Sequence, residues 1–148
     1  SNTFEKLIGL LKIFRDLASS DDDQVLNTNG PALVYKKQDN DKIGRVHEYV
    51  KQHFTEEITL AEISDLVSME IPSFCRYFKR VTGKTFTEFV NDFRVSYACK
   101  LLSDTSLSIS EVCFDSGFNN SSHFNRLFKS ITGKTPLAYR EELDHIIV

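Results

Sequence analysis

The chain has 148 residues, 41% of them hydrophobic with twelve Phe, enough for one all-helical domain with a real core plus an appended segment and too few for two full-sized domains. No apolar run approaches the roughly eighteen residues a membrane span needs, and no charged-then-apolar leader opens the chain, so no membrane-spanning helix is expected and the cytoplasm is the expected compartment. The net charge of −3 hides an asymmetry: residues 70–140 hold ten Lys and Arg against six acids, while residues 1–69 and the tail after Arg140 are acidic. A basic face opposite an acidic one is compatible with a nucleic-acid partner.

In chain order, Phe4, Leu7, Leu11, Phe14 and Ala18 recur at three- and four-residue spacing, which predicts an N-terminal amphipathic helix. Ser19 to Asp23, and Asn29-Gly30-Pro31 further on, predict a linker up to about residue 40. Residues 1–40 are thus expected to be a helix plus linker, the remnant of a sensor or dimerisation domain, and 41–148 the main domain. A second helix is expected to begin near Asn40 or Asp41 and to bury Ile43, Val46, Val50 and Phe54.

From there the chain repeats itself. Phe74-Cys75-Arg76-Tyr77-Phe78-Lys79-Arg80-Val81-Thr82-Gly83-Lys84-Thr85 returns fifty residues later, from Phe124 to Thr135, with eight of twelve positions identical. Upstream, Leu60, Ile63 and Met69 match Ile109, Val112 and Phe118 at an offset of 49, so the second copy carries one extra residue in its turn. Thr59 with Glu62, Thr85 with Glu88 and Ser108 with Glu111 fit capping boxes, Gly83 and Gly133 stand where left-handed residues would close helices, and Thr135-Pro136 opens a last one. Each copy therefore predicts a short helix, a tight turn and a longer helix, at about 59–83 and 108–133. A helix over 85–102 joins the copies, with Phe86, Phe89, Val90, Phe93, Tyr97 and Leu101 as a single apolar stripe. The fold class is all-α with two helix-turn-helix units.

In a helix-turn-helix the second helix enters the DNA major groove, which nominates residues 71–81 and 121–131 as reading helices. Phe74 and Phe78, like Phe124 and Phe128, are four apart and belong in the core, turning Arg76 and Arg126 outward. A guanidinium can donate two parallel hydrogen bonds to guanine O6 and N7. Ser73, Cys75, Ser121, Ser122 and Asn125 are near enough to share base reading. Lys79, Lys84, Lys129 and Lys134 are assigned to phosphates, Arg94 to phosphate or to bracing the two units, and His123 is a further candidate for a phosphate contact. Eighteen helical residues span about 27 Å, and with the widths of the flanking units this reaches one turn of DNA, about 34 Å.

Residues 41–142 resemble the AraC/XylS family of bacterial regulators. Ile109 and Val112, Gly117-Phe118, Phe124, Arg126, Phe128-Lys129, Gly133, Thr135-Pro136 and Tyr139-Arg140 carry the resemblance in the second unit, and Arg94, Ala98 and Leu101-Leu102 in the linker helix. The resemblance implies a seven-helix domain that binds double-stranded DNA and, as an activator, contacts RNA polymerase. Ser64 and Cys113 depart from its usual alanines, Ser68 from its glycine, and Pro72 stands one place late.

No Ser/His/Asp set, paired carboxylates, phosphate loop, metal-ligand spacing or cofactor motif can be assembled, so no catalysis is expected. Cys75, Cys99 and Cys113 are expected to be ordinary packed thiols. The competing expectation is a helical protein-interaction module that does not bind DNA. For residues 4–18 the expectation is weak homodimerisation, since an isolated helix of that length is marginal in water.

Overall fold

The computed structural model describes the backbone of residues 31–147 and the side chains of residues 39–146. The N-terminal amphipathic helix lies outside the described residues, which form seven helices and no strand: α1 (Pro31–His53), α2 (Leu60–Leu66), α3 (Ile71–Thr82), α4 (Phe86–Asp104), α5 (Ile109–Asp115), α6 (Ser121–Thr132) and α7 (Pro136–Ile147). One boundary differs from expectation. Helix α1 begins at Pro31, well upstream of Asn40. Proline at a first helical position lacks only an N–H that would have no helical partner there, and its φ is preset for the helix, so the stretch that reads as a turn serves as a start.

The capping chemistry is as expected. Thr59, Thr85 and Ser108 each accept from the backbone N–H three residues on, while Glu62, Glu88 and Glu111 accept from the backbone N–H of the cap. These hydrogen bonds hold the Glu62 and Glu111 carboxyls below their ordinary range. Gly83 and Gly133 end α3 and α6 at φ 77° and 86°. Just before each, a threonine staples the turn: Thr82 Oγ1 donates to the Phe78 carbonyl at 2.7 Å, and Thr132 Oγ1 to that of Phe128 at 2.8 Å.

Two cores result. The first gathers Ile43, Val46 and Val50 of α1, Ile63 and Val67, Phe74, Tyr77 and Phe78 of α3, and Phe86, Phe89 and Val90 of α4. The second gathers Val95, Ala98, Cys99 and Leu102 of α4 with Val112, Cys113, Phe118, Phe124 and Phe128. The single apolar stripe expected for α4 is therefore incomplete. At about 100° per residue, the residues α4 buries in the first core and those it buries in the second face opposite directions. Phe93, Tyr97 and Leu101 continue the expected stripe but are only partly buried. One helix thus carries a unit on each side, the first near its start and the second near its end.

Candidate nucleic-acid interface

Burial of the phenylalanine pairs orients both reading helices. Phe74, Phe78, Phe124 and Phe128 are essentially inaccessible, and the rings of each pair lie 5.6 and 5.7 Å apart. Two residues beyond Phe74 and Phe124, Arg76 and Arg126 emerge on the exposed side. Ser121, Ser122 and Asn125 are exposed beside Arg126, whose Nη2 lies 3.3 Å from His123 Nδ1. The first helix presents a different surface: Ile71 and Pro72 are exposed where the second unit has Ser121 and Ser122. Ser73 is half-buried, and Cys75, nominated for base reading, packs against the first core. The other two thiols are buried, and burial pushes the Cys99 thiol up to about 11 and the Cys113 thiol upward, which makes them poor nucleophiles.

The four lysines assigned to phosphates divide into two pairs. Lys79 and Lys129 lie exposed in the last turns of α3 and α6. Lys84 and Lys134 pair instead with Asp92 and Glu142, each eight residues further on, so the ion pair is repeated along with the fold.

Arg94 is turned inward. Its Nε donates to the Phe54 carbonyl at 2.7 Å and its Nη2 to that of Glu56 at 2.8 Å, while its guanidinium carbon lies 5.9 Å from the centre of the Phe118 ring. Of the two roles open to it, bracing is the one its contacts serve. Arg140, which the resemblance named without a role, does similar work in the second unit, donating to the carbonyls of Leu102 in the last turn of α4 and of Thr105 and Leu107 just past its end. Each arginine satisfies carbonyls at a helix C-terminus, where cations are favoured. Their partners lie more than thirty residues away, so no local pattern could have announced them. A cleft of about 430 Å³ opens between the units, lined among others by Glu56, Glu57, Asn91, Arg94, Asn119 and His123. Among the described residues no group of three or more His, Cys, Asp or Glu could hold a metal ion, and no helix is long and apolar enough to cross a membrane.

Comparison with known proteins points the same way. A family model described as a helix-turn-helix domain matches residues 63–142. A Bacillus subtilis protein described as an uncharacterized HTH-type transcriptional regulator, YdeC, is 32% identical over 119 residues, covering 78% of this chain and 41% of the relative. The bifunctional transcriptional activator/DNA repair enzyme AdaA of Bacillus subtilis is 32% identical over 106 residues, 72% of this chain and 50% of its own length. The chain thus spans half or less of these curated relatives. Among solved structures, a Listeria innocua protein of unknown function superposes with a TM-score of 0.62 at 30% identity, over 67% of this chain and 94% of that one. The DNA-binding domain of the transcriptional factor AdpA, solved with a target DNA, gives a TM-score of 0.62 at 26% identity over 66% of this chain and 87% of its own. A probable AraC family regulator from Rhodopseudomonas palustris shares the fold, with a TM-score of 0.64 at 24% identity over 70% of this chain and 97% of its own.

Proposed function

The chain belongs to the AraC-type helix-turn-helix family of transcription regulators, and from that premise we propose that it binds DNA sequence-specifically by inserting α3 and α6 into successive major grooves. The observation that carries this reading is the repeat itself. Two equivalent helices, each with an outward arginine at the same distance from a buried phenylalanine pair, are fixed to opposite sides of one helix of 19 residues. At 1.5 Å per residue that helix spans about 28 Å, and the widths of the two units bring the separation toward one turn of DNA. Arg76 and Arg126 are the base-reading groups, joined in the second unit by Ser121, Ser122 and Asn125. Lys79 and Lys129 meet phosphates, which position the protein without specifying sequence.

The role is that of an activator in the bacterial cytoplasm acting through RNA polymerase, supported by the description of the relative AdaA as a transcriptional activator. Selection of bound sequences from a random duplex pool, followed by titration of the winner at several salt concentrations, tests the DNA reading. The expected result is a bipartite consensus and an affinity that falls steeply with salt as phosphate counterions are released. No enriched sequence, or a flat salt response, would overturn it in favour of a protein-interaction module.

A further inference from the structure

Separate cores on opposite faces of α4 leave the mutual orientation of the two units to whatever contacts cross between them. Those contacts converge on one point. Phe54, just past the end of α1, packs its ring on Phe93 and Tyr97 of α4 at centroid distances of 5.0 and 4.8 Å. Its carbonyl accepts from Arg94, which sits on the edge of α4 about 90° from either buried face. Against that same carbonyl lies Gly117, the turn residue of the second unit. A Cβ there would stand 2.4 Å from the Phe54 oxygen, 3.0 Å from Arg94 Nε and 3.0 Å from the Thr55 Cα.

The equivalent turn position of the first unit separates packing from conformation. Ser68 adopts φ 56° while carrying a side chain, and it is exposed. Positive φ is therefore tolerated there without glycine. At 117 the φ is 91°, and the neighbouring unit in addition fills the space a side chain would need.

We infer that Arg94, Gly117 and the Phe54 carbonyl form a lock that fixes the two reading helices in one relative orientation and so sets the half-site spacing the protein accepts. The inference rests on the proposed DNA reading for its consequence, while the lock itself is a property of the free protein. One added base pair moves a half-site by about 3.4 Å and turns it by about 35°, a mismatch a locked pair cannot follow. Gly117→Ala pushes the units apart at the contact. Arg94→Lys keeps the charge but loses the planar fork that reaches two carbonyls at once.

Two measurements test this. Amide residual dipolar couplings of the free protein should fit one alignment tensor for both units in the wild type and need two in Gly117→Ala and in Arg94→Lys. A single tensor retained in both variants overturns the lock. On DNA, inserting or deleting one base pair between half-sites should weaken wild-type binding about tenfold or more, and Gly117→Ala should lose most of that penalty while binding an isolated half-site as the wild type does. Two tensors with an unchanged spacing penalty overturn the role in specificity, and a wild type that shows no bipartite site overturns the DNA reading and the spacing role together.

Discussion

The two helix-turn-helix units solve one backbone problem with different local chemistry. In both, the residue after the turn donates back to the same place in the preceding helix, Met69 to the Ser64 carbonyl at 2.9 Å and Phe118 to that of Cys113 at 3.1 Å. The first unit makes its turn with Ser68 in a left-handed conformation and starts α3 at Ile71, after a Glu70 whose side chain makes no capping hydrogen bond, with Pro72 just inside the helix. The second uses Gly117, inserts Asn119 and caps α6 with the Asn120 side chain, which accepts from the His123 N–H at 2.9 Å. Cores and helix caps are common to the copies, while turns and exposed faces diverge. The second reading helix presents a row of hydrogen-bonding groups, and the first an apolar tip. The comparison teaches that a shared fold need not present a shared surface.

The comparison breaks most sharply in the cores. Phe74→Ala and Phe124→Ala should each cost about 3–5 kcal/mol, because each empties a fully buried aromatic site. If the cores are separate, native-state amide exchange will show lost protection concentrated in the mutated unit; equal loss in both would make them one cooperative core. Next come the arginines. Arg126→Ala should cost about 1–3 kcal/mol of base discrimination at its half-site, and Arg76→Ala should fall at the low end of that range, because Pro72 and the packed Cys75 leave it fewer polar companions. Competition binding against single-base variants of the selected site measures both, and a larger effect at Arg76 would reverse the contrast.

Smaller effects sharpen it. Ser68→Gly should raise stability by about 0.5–1 kcal/mol, since relief of left-handed strain outweighs the greater chain entropy of glycine. A rise in the thermal midpoint checks it, with unchanged DNA preference. Last is an acid response confined to the first unit. His47 lies edge-on to Phe89 and Phe93, and burial lowers its pKa from the ordinary 6.5. As pH falls through 6.5 the unfolded chain takes up the proton first, so stability present above that value is lost below it. The residue 49 positions on is Ser96, which does not titrate. Amide exchange at pH 7 and pH 5.5 should show protection falling in the first unit ahead of the second, and replacing His47 with Gln should remove the difference.

What could be read from the sequence was what local spacing encodes. The three capping boxes, the glycine stops and the outward arginines each lie within windows of a few residues, where helix geometry leaves little choice, and the repeat shows most of them twice. The change of face in α4 was hidden because both its faces carry apolar residues, and the eye follows the larger ones, Phe93, Tyr97 and Leu101, over Val95, Ala98 and Cys99. The start of α1 was hidden because Asn-Gly-Pro fits a turn as readily as a helix entry. Arg94 and Arg140 act on carbonyls fixed only by the tertiary fold, and Lys84 and Lys134 find carboxylates on the following helix. Basic residues near a reading helix look alike in sequence whether they face phosphate or their own backbone.

A helix that buries opposite faces at its two ends behaves as a keyed shaft. One residue inserted near its middle would advance the second unit by 1.5 Å and rotate it by about 100°, whereas four would come within about 40° of a full turn. Substitutions along α4 can be absorbed one by one, but its length between Val90 and Val95 cannot drift in single steps without throwing the units out of phase. Indels in this chain should therefore collect in the loops that flank α4 and spare the shaft itself.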